Sequence, residues 1–343
     1  MSRAFSSTLP LSRHRVDRDH ESRRDDALLE EYFARADARV LLLHRGQALA
    51  TGGGLPAGYD GFGPRPDVAI EQQAVLALRA SAELPEGILA AIGQGDLVRI
   101  YLGVALDDSP ALAAGAPVFA IAVGDSEAEQ LATDGATWVN LRLVAADLDD
   151  TMAGIFTEAV AIANWHATHT HCPRCGAATV VESGGWVRWC PVQDIELFPR
   201  TDAAVIVGIV DHDDRLLLGS NALWENNRYS LLAGFVEPGE SLEAAAVREI
   251  AEESGVVIDE PVYLGSQPWP FPASLMVGFM ATVSAEHPAV LRPDGDEILD
   301  LRWFTRAQIA DPASDVLLPG SSSIARAIIE HWYGGPLPER AQA

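Results

Sequence analysis

Apolar positions along the chain fall in short, dense runs. "ARVLLLHRGQALA" (38–50) reads as a buried strand leaving through a turn, and "LVRIYLGVAL" (97–106) and "APVFAIAVG" (116–124) read as two more strands. Between them, "AIEQQAVLALRASAELPEGILAAI" (69–92) has helical spacing broken at Pro85, and "TGGGLPAGYDGFGPRP" (51–66) has the Gly/Pro density of a loop. "LDDTMAGIFTEAVAIANWHATH" (148–169) predicts one long helix with Asp149 or Asp150 near its N-cap. After Arg200 come strands at "DAAVIVGIVD" and "RLLLGS", a strand ending at Gly234, an acidic helix, and strands around 261–266, 274–283 and 299–304. The helix "SSIARAIIEHWY" follows. Residues 1–27 are polar and predict a loosely held arm. The element order predicts an α/β (α+β) fold: a mixed α/β domain over 28–167, a short cysteine-bearing segment over 168–198, and a second α/β domain over 199–335.

Charge narrows the choice of partners. The chain of 343 residues carries a formal charge of −25, and all 24 of its basic residues are arginine. Broad nonspecific binding to nucleic acid needs an excess of cations, so it is disfavoured, whereas gripping one nucleotide or an RNA end is not. The longest aliphatic run, "AVIVGIV" from Ala204, is seven residues, against the roughly 20 that span a bilayer. The first residues lack the apolar core of a signal peptide. Three clustered cysteines are no disulfide framework and suit a reducing compartment. A cytoplasmic protein with no membrane partner is expected.

The candidate chemistry lies in "GFVEPGESLEAAAVREIAEESGV" (234–256). On a helix, Glu249, Glu252 and Glu253 stand at i, i+3 and i+4 and share one face around Arg248. Carboxylates that close repel one another and hold their protons unless cations sit among them. Hard divalent ions such as Mg²⁺ or Mn²⁺, which take oxygen ligands, account for the cluster. Ser241 suits the N-cap, Gly255 the left-handed C-terminal position, and Ala246 and Ile250 the core face.

This spacing (Gly234, Glu240, Arg248, Glu249, Ile250, Glu252, Glu253, Gly255, Val256) resembles the Nudix box without departure. The resemblance implies a Nudix α/β/α sandwich and a metal-dependent hydrolase that cuts nucleoside diphosphates linked to another group. It makes Glu249 and Glu253 the principal metal ligands and Glu252 a further ligand or water-activating base. Arg248 would orient a carboxylate, and Glu240 would brace the loop.

A second stretch, "SQPWPFPASLM" (266–276), alternates prolines with Trp269 and Phe271, so it is stiff before any ligand arrives. Downstream of a Nudix box it is similar to the hallmark of the NADH pyrophosphatase branch, also called NAD-capped RNA hydrolases; Ala273 stands where that pattern has glutamine. The resemblance runs from about Trp165 to Trp332. It implies a substrate segment from Gln267 through Pro268, Trp269, Pro270, Phe271, Pro272 and Ala273 to Ser274. It adds Glu297, six residues before Trp303, and the Ala233 carbonyl as metal ligands. Phe235 would face the nicotinamide, Phe198 would replace a substrate-side tyrosine without its hydroxyl, and Ala325 would supply a backbone contact. NADH or NAD⁺ is the implied substrate, the NAD-capped 5′ end of RNA a further one, and a homodimer the implied assembly. A diphosphatase for ADP-ribose, coenzyme A or dinucleoside polyphosphates, and a catalytically silent nucleotide- or RNA-binding module, are the alternative readings.

"HCPRCG" (171–176) has zinc-knuckle spacing, and in this branch it opens a zinc ribbon of four cysteines. Here the second pair reads Cys190-Pro191-Val192-Gln193, so Cys172, Cys175 and Cys190 fall one thiolate short of the closed tetrahedron that structural Zn²⁺ favours. A shell completed by His171 or water, and a ribbon held by Trp186 and Trp189 without metal, both remain open at this point.

Overall fold

The computed structural model describes residues 5–52, 74–109, 111–132, 135–224 and 226–338. The loop expected over 51–66 falls almost wholly outside them. Among the described residues the first unit is an eight-stranded sheet. Its strands are β1 (Val16–Asp17), β2 (Arg39–His44), β3 (Gln47–Thr51), β4 (Val75–Leu76), β5 (Arg79–Ala80), β6 (Arg99–Ala105), β7 (Pro117–Ala122) and β8 (Ala136–Asn140). Helices α1 (Asp26–Ala34), α2 (Glu86–Gln94), α3 (Asp125–Leu131) and α4 (Leu141–Val144) precede the long α5 (Asp150–Thr168), which Asp149 caps. Successive side chains of a strand point to opposite faces. On β2, Leu41 and Leu43 enter the core shared with α5, while Val40 and Leu42 enter a second core with α1 and α2. Both faces are covered, and the run reads as continuously apolar for that reason.

Three expectations need correction here. The stretch 38–50 is two strands, a hairpin turning at Arg45 and Gly46, both at positive φ. Residues 75–76 and 79–80 are short strands, with Leu76 paired to Ala50, so the α-helix begins only at Glu86; an unbroken apolar run cannot report its own period. The described part of the N-terminal arm is packed rather than loose. Val16 pairs with Ala105, and Leu9, Leu11 and Val16 are at most 2% exposed. Three apolar residues among polar ones suffice to anchor it.

The cysteine segment is a three-stranded sheet of β9 (Val180–Glu182), β10 (Val187–Cys190) and β11 (Ile195–Leu197). It is fixed to the first unit where the Trp186 indole donates to the Tyr101 carbonyl at 2.7 Å, and the Arg23 guanidinium lies 3.5 Å from the Trp186 ring centre.

The last unit holds β12 (Asp202–Val210), β13 (Leu216–Asn221), β14 (Leu232–Phe235), β15 (Val262–Trp269), β16 (Ser274–Thr282) and β17 (Ile298–Phe304). Its order is β15-β16-β12-β13-β17, with β14 on β12 and the β12–β16 pair parallel. Helix α6 (Leu242–Ser254) covers one face and α8 (Ile324–Tyr333) the other, with the short α7 (Arg306–Ala310) beside them. Alternation along β12 sends Val205, Val207 and Ile209 toward α6 and Ile206 toward α8, giving the expected α/β/α sandwich. Among the described residues no helix is long and apolar enough to cross a membrane.

Candidate active site

Strand β14 delivers the chain to the acidic helix. The Ser241 hydroxyl caps α6 by accepting from the Ala244 amide at 3.2 Å, and Gly255 ends the helix at φ 70°. Ala245, Ala246 and Ile250 are buried against β12. Burying an isoleucine side chain contributes about 1.5–3 kcal/mol, while each like-charged pair one turn apart costs only about 0.2–0.5 kcal/mol. Packing therefore wins, and α6 tolerates its glutamates.

Arg248 is the hub of the cluster. Its Nε and Nη2 donate to the two carboxylate oxygens of Glu240 at 2.8 and 2.9 Å, and Nη2 also donates to the Phe235 carbonyl at 3.0 Å. Nη1 donates to Glu252 at 2.9 Å and lies 3.0 Å from Glu249. This fork, with the Glu237 amide, holds the Glu240 carboxyl down at about 2. Glu252 is the open member, its side chain 61% exposed.

Glu253 differs from its neighbour completely. It is 5% exposed, and its Oε2 has no hydrogen-bond partner. Burial first, then Glu297, Glu249 and Asp294, push its pKa up to about 8. Burial also raises Glu249, against the pull of Arg248. Gly234 packs on Glu249: a Cβ built at 234 would lie 2.0 Å from Glu249 Cδ. Glu297 enters from the turn before β17, where Asn221 Nδ2 donates to its Oε1 at 3.2 Å.

Among the described residues, these carboxylates do not gather as a group of three within 4.8 Å. The donor set still fits a hard divalent cation. It is all oxygen, it includes a buried carboxylate oxygen without a partner among the described residues, and the Gly234 backbone approaches it so closely that a Cβ there would displace the Glu249 carboxylate. Glu249, Glu252, Glu253, Glu297 and the Ala233 carbonyl are the groups that would hold Mg²⁺ or Mn²⁺.

A cavity of about 330 Å³ opens beside these acids. Ala233, Glu253 and Glu297 line one side, Trp269 and Arg142 another, and residues 322–325 at the start of α8 a third. Trp269 and Ala325 thus meet the metal-side carboxylates. The rest of the proline segment behaves differently. Phe271 packs edge-on to Trp269, and the Arg142 guanidinium covers it at 4.1 Å. Pro270, Pro272 and Ala273 form the turn between β15 and β16, with Pro268 and Ser274 in the flanking strands, and none of the five lines the cavity. Gln267 is fully buried, accepting from the Leu11 amide and donating to the Ser322 carbonyl. Phe198 and Phe235 are each 59% exposed and lie outside the lining.

In the ribbon, the sulfurs of Cys172, Cys175 and Cys190 lie within 4.8 Å of one another, with Cys175 and Cys190 3.6 Å apart. No fourth His, Cys, Asp or Glu among the described residues joins them. His171 pairs its Nδ1 with Thr170, and Asp194 accepts from the Trp189 indole. Three soft ligands suit zinc but fall one short of the closed tetrahedron that a structural site takes.

Residues 199–321 match the family model of the NUDIX domain. Residues 37–165 match the NADH pyrophosphatase-like rudimentary NUDIX domain, and 167–192 the NADH pyrophosphatase zinc ribbon domain. The chain thus carries a NUDIX domain over residues 199–321. It is 44% identical over 204 residues to "NAD-capped RNA hydrolase NudC" of Mycobacterium bovis (strain BCG / Pasteur 1173P2), covering 57% of this chain and 64% of that one. It is 38% identical over 200 residues to "NAD-capped RNA hydrolase NUDT12" of Homo sapiens, covering 54% of this chain and 42% of that one. The alignment therefore spans less than two thirds of these relatives' length.

The rudimentary Nudix unit explains a likeness between the two large sheets, each built around one parallel pair, β2–β7 in the first and β12–β16 in the second. It also supplies the residue that reading the Nudix box alone missed. Arg142 on α4 reaches the cavity from the other unit, burial lowers its pKa, and its guanidinium has no ion pair among the described residues. The one signal available was an arginine inside the apolar stretch "WVNLRLV".

Proposed function

We propose that this Nudix chain hydrolyses the diphosphate of NADH and NAD⁺ to AMP and nicotinamide mononucleotide, and that the same site removes the NAD cap from RNA. One juxtaposition carries the reading: the buried carboxyl of Glu253 shares a cavity with the Trp269 indole and the Arg142 cation. Among the described residues, Glu253 Oε2 lacks a hydrogen-bond partner and Arg142 has no ion pair. The names of the relatives support the same substrate class.

Bound Mg²⁺ or Mn²⁺ supplies charge neutralisation on the diphosphate and a water of lowered pKa. The chain's own groups do the rest. Glu249, Glu253 and Glu297 would hold the ion. Glu252, open to solvent and fixed by Arg248, would take the proton of the attacking water. The Arg142 guanidinium faces the phosphate charge, and the Trp269 face takes a flat ring. As the water oxygen bonds to one phosphorus, the bridging oxygen leaves with the other phosphate, and each product keeps one phosphate.

In this reading the chain works as a homodimer in a reducing cytoplasm, and its three free cysteines suit that compartment. The exposed rings of Phe198 and Phe235 await completion of the pocket by a partner subunit. An active monomer in sedimentation would overturn the dimer. The decisive experiment compares hydrolysis of NADH, NAD⁺, ADP-ribose and NAD-capped RNA under Mg²⁺ and Mn²⁺, with Glu253→Gln as control. NADH or capped RNA should lead, and the variant should lose activity by orders of magnitude while staying folded. ADP-ribose far ahead of NADH would overturn the substrate assignment.

A further inference from the structure

The segment preceding β1 is bonded close behind two walls of the cavity and reaches a third through Gln267, without lining it. Leu9 is fully buried in the core between β12 and α8, while Leu11, two residues on, is buried in the core around α5. The segment therefore straddles the two Nudix units. Between these anchors, the Leu11 amide donates to Gln267 Oε1 at 3.4 Å, and Ser12 Oγ donates to the Ser266 carbonyl at 2.8 Å. The other end of the same Gln267 side chain donates from Nε2 to the Ser322 carbonyl at 3.1 Å. Arg13 then ties the segment to the first unit. It donates from Nη1 to the Leu148 carbonyl at 2.8 Å and from Nη2 to the Ala145 carbonyl, both just beyond the helix that carries Arg142.

We propose that residues 9–13 form a positioning strap for the substrate cavity, acting through Gln267 and Arg13. Gln267 stands two residues before Trp269, and its amide bridges the strap to the Ser322 wall. Arg13 holds the loop that follows Arg142. Trp269, residues 322–325 and Arg142 come from three separate parts of the chain; the strap is bonded beside the first and the last, and Gln267 links it to the second. A buried amide with both ends engaged is specific in a way that apolar packing is not, because displacing either partner strands a polar group away from water. Gln267, expected from the sequence to touch substrate, is on this argument a positioning residue.

The proposal rests on the dinucleotide reading for its kinetic arm only. The first arm uses no substrate: hydrogen–deuterium exchange of residues 266–276 and 320–325 in full-length wild type, Arg13→Ala, Arg13→Lys and Gln267→Met. Arg13 hydrogen-bonds to neither segment, yet Arg13→Ala should speed exchange in both, Gln267→Met should do the same, and Arg13→Lys should restore most of the protection. The second arm measures NADH hydrolysis. Each of Arg13→Ala and Gln267→Met should raise KM about tenfold with a smaller change in kcat, and the double variant should do no worse than the poorer single, because both act through one element. Unchanged exchange in Arg13→Ala, or KM effects that multiply in the double variant, would overturn the strap. A wild type that protects both segments but ignores NADH would overturn the substrate reading instead.

Discussion

The backbone of Gly234 lies so close to Glu249 that a Cβ at 234 would fall 2.0 Å from the Glu249 carboxyl carbon. The clash is with the far end of a flexible side chain, so Gly234→Ala leaves the fold a way out. Glu249 swings aside and ceases to be a metal ligand. We expect activity to fall by about 100-fold or more while the unfolding free energy changes by no more than about 1–3 kcal/mol. Steady-state rates beside urea midpoints check this; near-normal activity would refute the role of Glu249.

Metal-free protein should lose stability as pH rises. Glu253 keeps its proton up to about pH 8 in the folded state, whereas an unfolded glutamate ionises around 4.3. Between those values the native state binds more protons than the unfolded state, so unfolding free energy declines with pH across that window. Glu253→Gln should flatten the decline, and Mn²⁺ should oppose it most strongly at the alkaline end, where the carboxylate is charged. Denaturant midpoints in chelator, with and without Mn²⁺, test the sign.

Zinc should bind and leave more easily than from a four-cysteine ribbon. Gln193→Cys supplies the thiolate that the sequence lacks beside three converged sulfurs, so it should slow zinc release to a chromogenic chelator by an order of magnitude or more. An unchanged release rate would mean that residue 193 does not reach the metal position.

Arg142→Ala should raise the KM for NADH about tenfold with a smaller effect on kcat, the mark of a group that binds the ground state and the transition state alike. Arg142→Lys should recover only part of this, because lysine keeps the charge but not the flat guanidinium that covers Phe271 at 4.1 Å. Saturation kinetics on the two variants decide it.

The box helix was fully legible because its determinants are local: the Ser241 cap, the Gly255 terminus and the Ala246–Ile250 stripe all act within a few turns. Which of two adjacent glutamates is buried was not written in the letters. Glu252 and Glu253 differ only because the packing of Ile250 rotates one toward the core and the other toward water. The strands at 75–80 were hidden by an apolar run without a period, and the packed strap by polar residues around Leu9, Leu11 and Val16. Arg142 and the burial of Gln267 were beyond reach for a different reason: each depends on contacts with residues more than 100 positions away.

The bond from Leu11 to Gln267 spans 256 positions, and the same glutamine then reaches on to Ser322. A growing polypeptide makes the strap long before its receptor. Until residue 322 has been synthesised the strap has nothing to close on, so a half-made molecule holds the acidic helix yet lacks a finished substrate chamber. Catalytic competence therefore waits on the synthesis of residue 322.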